Sequence, residues 1–202
     1  MTEDFESEAL EQLSPPPDPL PELAASCIDY VRGAVGVELD LTSDTLPVLD
    51  HYLEGAREAA RERPELLDLL SRAVGAYFGE VVRRSFAAYW IVPSDDAFEW
   101  RIAFRRVYLA FNPVGAAYDS LTSTSEHEGP SSEMSLLREE QEAVAARLAA
   151  LPEVREDDYY RLSTRFEVIQ IAFAALRSEM ERAGVEATEY EPEDYQEALG
   201  QA

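Results

Sequence analysis

The side chains best suited to chemistry are concentrated between residues 77 and 111. This stretch holds ten of the 20 aromatic residues and five of the 17 basic residues, all of which are arginines. Only four acidic residues accompany them. We therefore look for a binding surface here, and the candidate binding residues are Glu80, Arg83, Arg84, Trp90, Trp100, Arg101 and Arg105.

Interleaved arginine and aromatic side chains have three interpretations. They can bind nucleotides or single-stranded nucleic acid by stacking and by phosphate contact. They can form a protein–protein surface, where arginine, tyrosine and tryptophan are enriched. They can also belong to a plain core sheet whose arginines pair with acidic residues of the same chain. The net charge of the whole chain weighs against the first interpretation.

Glu80 is the candidate for acid–base chemistry within this stretch. It follows Gly75 and Gly79, which lie on one helical face and permit the close approach of another backbone. A carboxylate at the edge of an apolar helix face can act as a general acid or base, which with nearby arginines would suit a small hydrolase-like or ligand-binding enzyme with an anionic substrate. The alternative is an ion pair with Arg83 or Arg84, one turn further along the helix.

The rest of the sequence offers no recognisable catalytic or metal-binding set. His51 and His127 lack the spacing of a metal site, and Cys27 is the only cysteine, among small and apolar neighbours that predict a buried thiol. The sequence contains no phosphate loop, dinucleotide fingerprint or nucleophile elbow. We therefore predict no cofactor, no metal and no catalytic residue.

The charge of the chain limits its expected partners. With 41 acidic and 17 basic residues, the formal net charge is −24. Such a field repels phosphate, so neither nucleic acid nor a membrane is expected as a partner. Another protein is the expected partner, and a homo-oligomer is a further option. A separate hypothesis is that the carboxylates imitate nucleic-acid phosphates and occupy a DNA-binding protein.

Much of the negative charge lies at the two ends of the chain. Residues 1–23 hold seven acidic residues and five prolines, a composition that predicts an extended, solvated arm. Residues 186–202 are predicted to form an acidic tail, although Tyr190 and Tyr195 could pin it to the single domain at 24–185. The start of the sequence lacks the pattern of a secretory signal, and no apolar stretch is long enough to span a membrane. We expect a soluble, cytoplasmic protein.

The first half of the chain supplies the elements that must position the candidate residues. Apolar spacing predicts a helix from the capping residues 42–45 to about Arg63, and a second helix from Pro64 past Val82. Alternation from Phe98 to Arg105 predicts a strand that pairs with residues 87–92 as a hairpin, with an optional third strand at 107–111. We name residues 86–111 the aromatic–arginine hairpin.

The second half is predicted to be mainly helical. Asn112 and Pro113 begin a helix through Leu121, and residues 122–132 have the composition of a flexible loop. Two more helices follow, one from Ser131 or Ser132 to Leu151 and one from about Asp157 to Ala183, closed by Gly184. The predicted fold is α+β, a helix-rich single domain with a small antiparallel sheet packed on helices.

A series of short motifs runs through residues 37–120: Leu39-Asp40-Leu41-Thr42, Gly75-Ala76-Tyr77-Phe78-Gly79-Glu80, Trp90 and Asn112-Pro113. The series resembles a domain-of-unknown-function family of bacterial proteins. In that family a Leu-Asp-x-(Ser/Thr) helix start precedes a Gly-Ala-Tyr-(Leu/Phe)-Gly-Glu helix, a Trp strand and an Asn-Pro turn. The resemblance implies a small α+β domain and brings no activity or catalytic residues with it.

These observations favour binding over catalysis. We expect a non-catalytic protein-binding module of the adaptor, regulatory or immunity type. Its contact surface is expected to be the aromatic–arginine hairpin, or acidic faces that meet a basic partner.

Overall fold

The computed structural model describes residues 14–150 and 154–199, so the first 13 residues of the predicted arm and the last three of the predicted tail lie outside the described residues. The helices are α1 (Leu20–Val35), α2 (Leu46–Glu62), α3 (Pro64–Phe86), α4 (Pro113–Thr122), α5 (Gln141–Ala149), α6 (Glu156–Tyr159), α7 (Leu162–Ala183) and α8 (Pro192–Leu199). The strands are β1 (Ala88–Ile91), β2 (Arg101–Phe104), β3 (Leu109–Phe111) and β4 (Ser135–Leu136).

Helix α3 is the central element of the fold. Nearly every residue from Leu70 to Arg83 is buried, because α1, α2 and α4 pack around it and the sheet covers its C-terminal half. The four strands form one antiparallel sheet in the order β1-β2-β3-β4. The α+β prediction is therefore confirmed. The sheet also contains a fourth strand, β4, that was not predicted.

Two glycines allow the close approaches that α3 makes. A Cβ atom at Gly75 would lie 2.6 Å from the Cα atom of Val114 in α4, and one at Gly79 would overlap the ring of Trp90. Real Cβ atoms do not approach other heavy atoms so closely, so in this packing only glycine fits at these positions. The prediction that this glycine pair permits the approach of another backbone is confirmed for Gly75.

The two faces of the sheet differ in what covers them. Ile102 and Phe104 of β2 point into the main core beside the helices, whereas Ala103 belongs to a second, smaller apolar cluster on the outer face. The predicted alternation is confirmed over 101–104. The strand begins later than Phe98 because Asp96 accepts hydrogen bonds from Phe98 and Glu99, which closes a turn there.

The segment after α4 differs from the prediction. A single helix was expected from Ser131 or Ser132 to Leu151, but Ser135 and Leu136 pair with β3 as strand β4, and α5 begins only at Gln141. The backbone groups of this stretch bond to the free edge of β3 and not to one another as they would in a helix. Helix propensity was overridden by a tertiary contact.

One helix was predicted from about Asp157 to Ala183, but the structure divides this stretch into α6 and α7. Asp50 of α2 accepts hydrogen bonds from the backbone N–H groups of Leu162 and Ser163, at 2.7 and 3.2 Å, and so caps the start of α7. Burial raises the pKa of the Asp50 carboxyl group, against the opposing effect of these hydrogen bonds. The helix ends as predicted at Gly184, which has a φ of +70°.

Both ends of the chain contribute more to the fold than their composition predicts. Helix α1 begins at Leu20, whose side chain is buried, so the domain starts before the predicted boundary at residue 24. At the other end, α8 lies within the predicted tail and the side chain of Tyr195 is only 1% exposed. Among the described residues, no helix is both long and apolar enough to cross a membrane.

Candidate functional site

Trp100 does not contribute to a surface. Its side chain is only 1% exposed and its indole N–H donates to the backbone oxygen of Ser94 at 2.9 Å. The side chain lies in the main core together with Ile102 and Phe104. Trp100 directly precedes β2 and lies two residues before Ile102, so its side chain falls on the same side of the sheet and joins the core.

Glu80, Arg83 and Trp90 form a buried network on the inner side of the hairpin. The Oε1 atom of Glu80 accepts the indole N–H of Trp90 at 2.7 Å and the Nε–H of Arg83 at 2.8 Å, while Oε2 accepts from Nη2 of Arg83 at 2.9 Å. Arg83 also donates to the backbone oxygen of Ser14 at 3.2 Å. Glu80 is thus an ion-paired carboxylate, and it does not line either of the two cavities described below, whose walls include Arg83 and Arg84.

Arg84 lies at the exposed edge of that network, and Arg101 lies outside it. The Nε atom of Arg84 is 3.7 Å from Oε2 of Glu80, and its side chain is 42% exposed. Arg101 is half-buried and donates from Nη1 to the backbone oxygens of Phe98 and Trp100. Burial lowers the pKa of Arg101. The seven candidate residues therefore occupy different faces and do not form one continuous patch.

Arg105 is the candidate residue that the structure places on the outer face of the sheet, and it is covered there by residues 189–195, which we name the C-terminal segment. The Arg105 guanidinium pairs with Glu189 at 2.8 Å, and its backbone oxygen accepts from the N–H of Tyr190 at 2.7 Å. On the neighbouring strand, the hydroxyl group of Tyr89 donates to Glu191 at 3.2 Å. Charge and backbone contacts together hold the segment across the strands.

Tyr195 anchors the C-terminal segment in the sheet. Its hydroxyl group lies 2.6 and 2.9 Å from the backbone oxygens of Phe104 and Val107, and it accepts the N–H of Leu109 at 3.2 Å. The ring stacks on Tyr108 with centroids 4.7 Å apart and 12° between the planes. Burial raises the pKa of Tyr195, so its hydroxyl group stays protonated and able to donate.

The outer face has room for this ring because its centre is lined by small residues. Ala103 and Ala110 are cross-strand partners and belong with Ile91 and Tyr108 to the apolar cluster that Tyr195 completes. A cross-strand pair of larger residues would fill the same space. The sequence prediction that tyrosines could pin the tail to the body is confirmed for Tyr195.

The N-terminal residues of the described chain approach the same hairpin from its β1 edge. Residues 14–17, which include three consecutive prolines, line a cavity of about 320 Å³ with Arg83, Tyr89, Trp90 and the start of α8. Part of the predicted solvated arm is therefore packed against the aromatic–arginine hairpin.

A cluster around Asp119 was missed by the sequence analysis. Asp119 bonds to Nε2 of His127 at 2.7 Å, accepts from the hydroxyl group of Ser132 and pairs with Arg165 at 3.3 Å. Nδ1 of His127 accepts the N–H of Gly129, so the ring proton on Nε2 points at Asp119. Local sequence gives no signal for this cluster because its members come from α4, the following loop and α7.

The Asp119 cluster holds a serine, a histidine and an aspartate but lacks the geometry of a catalytic triad. The hydroxyl group of Ser132 bonds to Asp119 and not to the imidazole, so the histidine is not placed to activate it as it would be in a triad. The bonds instead tie the loop 123–134 to α4 and α7. Residues 123–132 are thus a loop, as predicted, and side-chain bonds attach this loop to the helices. Within the described parts of the chain, no group of three or more His, Cys, Asp or Glu residues is arranged to hold a metal ion.

The fold and the hairpin together define a class: an α+β domain whose small sheet carries helices on one face and a segment of its own chain on the other. Comparison with known proteins finds no protein-family description, curated protein or solved structure that matches the chain.

Proposed function

We propose that the protein is a non-catalytic protein-binding module, and that its binding surface is the outer face of the aromatic–arginine hairpin. The observation that carries the proposal is the insertion of Tyr195 into that face, with its hydroxyl group bonded to the backbone of the turn between β2 and β3. A deeply buried aromatic anchor with a polar rim is the pattern of binding hot spots in protein interfaces. In this structure, the chain's own C-terminal segment occupies the surface.

The chemistry of the surface defines the partner. Arg105 favours a carboxylate. The backbone oxygens of Phe104 and Val107 and the N–H group of Leu109 surround one point, where a single phenolic hydroxyl group can bond to all three. The partner is therefore a protein that presents a tyrosine within an acidic stretch, as the C-terminal segment does. Arg105 also gives a strongly acidic chain a local positive charge that can attract an acidic ligand.

The C-terminal segment is suited to displacement by such a partner. It is joined to α7 through Gly184 and residues 185–188, which are all exposed to solvent. Its pair with Arg105 lies at the rim, and exposed ion pairs contribute little and are screened by salt. The anchoring free energy thus rests mainly on Tyr195. An external ligand can bind only while the segment is released. Its apparent affinity is therefore the intrinsic affinity multiplied by the fraction of molecules whose surface is empty.

A fluorescence anisotropy titration with a labelled peptide of residues 186–199 tests the proposal. The full-length Tyr195→Ala chain has lost its own anchor, so it is expected to bind the peptide at least about tenfold more tightly than the unaltered chain does. A second peptide with alanine in place of Tyr195 should not bind.

Two controls separate loss of binding from loss of folding. Adding Arg105→Glu to the Tyr195→Ala chain should weaken peptide binding, while the circular dichroism spectrum stays unchanged. Tyr195→Phe keeps the ring and removes only the hydroxyl bonds, and its chain should bind the peptide with an intermediate affinity. A folded Tyr195→Ala chain that ignores the peptide would refute the proposal, as would equal binding of the two peptides.

A further inference from the structure

A separate cavity lies at the C-terminal end of α3, and no residue of the C-terminal segment lines it. It has a volume of about 390 Å³ and is formed by the loop 40–43, the end of α3 at 84–86, and Phe166 and Gln170 of α7. Small-molecule sites have volumes of roughly 300–1,000 Å³, so this cavity has the size for a small ligand. None of the proposed protein-binding residues of the outer face lines it.

Arg84 brings a positive charge to this cavity. Its nearest carboxylate, Glu80, is 3.7 Å away and already accepts two N–H groups of Arg83. The charge of Glu80 is therefore balanced mainly by Arg83, and Arg84 keeps only a long ion pair with Glu80 and no hydrogen bond among the described residues. A guanidinium group in that situation can bind a ligand carboxylate.

Asp40 brings a negative charge to the same cavity. Its Oδ1 atom accepts three hydrogen bonds, from the N–H and hydroxyl groups of Thr42 and from the hydroxyl group of Thr45, at 2.7 to 2.9 Å. The hydrogen bond from Thr42 is the main reason that the pKa of Asp40 is lowered, so its carboxylate is ionised at neutral pH. No hydrogen bond of the described residues uses its Oδ2 atom, which remains able to accept a ligand donor.

The loop that carries Asp40 is held in one conformation. Leu41 has a φ of +62°, a left-handed conformation that costs a bulky residue roughly 1–2 kcal/mol. The hydroxyl group of Tyr77 stabilises it by accepting the N–H of Leu41 at 3.1 Å and bonding to Thr45 at 2.9 Å. A rigid loop presents its charged group without an ordering cost on binding.

The remaining walls combine apolar and uncommitted polar side chains. The rings of Phe86 and Phe166 pack with their centroids 5.6 Å apart and both border the cavity. Within the described structure, the side chains of Ser43 and Gln170 have no hydrogen-bond partner. The cavity thus offers one cation, one anion, an apolar wall and free polar groups.

We propose that this cavity binds an apolar α-amino acid. Its carboxylate pairs with Arg84, its ammonium group with Asp40, and its side chain lies against Phe86 and Phe166. A ligand without net charge suits the site because the two protein charges cancel and because the chain's net charge of −24 disfavours a free anion. The inference is independent of protein binding at the outer face.

Nuclear magnetic resonance titration of the full-length, ¹⁵N-labelled chain with L-phenylalanine and L-leucine tests the proposal. Saturable shifts are expected for the amides of residues 40–43 and 84–86. The analogues 3-phenylpropionate and 2-phenylethylamine each lack one of the two charges and should bind at least about tenfold more weakly, because one charge-assisted hydrogen bond is lost. Binding of either analogue as tightly as L-phenylalanine would overturn the assignment.

Arg84→Gln provides the matching variant. Arg84 is exposed, so the chain should fold normally, which an unchanged thermal midpoint verifies, while the affinity for L-phenylalanine falls about tenfold or more. Arg72→Gln, a partly exposed arginine on the same helix that does not line the cavity, should leave the affinity unchanged. The absence of saturable shifts at millimolar amino acid, or equal affinity of the Arg84→Gln chain, would refute the proposal.

Discussion

Replacing Glu80 with alanine is expected to lower the free energy of unfolding by about 3–5 kcal/mol, because it leaves a buried charge without its partner. Glu80 is 3% exposed, and Arg83, which depends on it for two hydrogen bonds, is also buried. The indole N–H of Trp90 loses its acceptor in the same step. Urea denaturation followed by circular dichroism measures the change.

Two companion variants show that the cause is the uncompensated charge. Glu54→Ala removes an exposed ion pair with Arg161 and should change the free energy of unfolding by less than about 1 kcal/mol. The double replacement of Glu80 by leucine and Arg83 by methionine removes both charges and should recover most of the loss. A Glu80→Ala chain no less stable than the Glu54→Ala chain would show that the network does not stabilise the fold.

Replacing Gly75 with alanine is expected to cost about 3 kcal/mol or more, although alanine normally favours a helix over glycine by up to about 1 kcal/mol. The added methyl group would lie 2.6 Å from the Cα atom and 2.8 Å from the backbone nitrogen of Val114. A backbone cannot move aside as a flexible side chain can, so α3 and α4 must separate. Thermal and urea denaturation report the loss.

Gly55→Ala is the matched control. Gly55 is exposed within α2, and a Cβ atom there would meet nothing within 4 Å. This variant should stabilise the protein by about 0.5–1 kcal/mol, since only the intrinsic helix preference changes. Opposite signs for the two glycines are the expected result, and a neutral or stabilising Gly75→Ala would contradict the close approach of α3 and α4.

The elements that the sequence predicts well are those with local signals. Pro64 starts α3, Gly184 ends α7, and Asn112 caps α4 by accepting the N–H groups of Val114 and Gly115. Alternation identifies β2 because one face of the sheet is buried in the main core. Each of these signals is contained within a few neighbouring residues, so no tertiary information is needed to interpret it.

The features that the sequence does not predict depend on distant partners. Asp50 caps a helix 112 residues away, and the Asp119 cluster joins side chains from three parts of the chain. β4 exists only because the edge of β3 is free to pair. The sequence suggests that Tyr190 or Tyr195 could pin the tail to the domain, but only the fold shows that Tyr195 covers the outer face of the hairpin.

The motif series between residues 37 and 120 also acquires a structural reason. Tyr77 bonds to the loop after Leu39, and Gly79 leaves space for the ring of Trp90, whose N–H donates to Glu80. Pro113, which begins α4, lies close to the same glycine. These residues fit one another, so packing around α3 gives a structural reason for their joint occurrence.

The central claim is that the C-terminal segment is a releasable occupant of the outer face, and native-state hydrogen exchange tests it most directly. The amide of Tyr190, bonded to Arg105, should exchange through a local opening whose free energy is at least about 2 kcal/mol below that of the Val81 and Val82 amides in α3. That result would show that the surface empties while the body stays folded. If the Tyr190 amide exchanges only when the whole protein unfolds, the segment is a permanent part of the core and the claim is wrong.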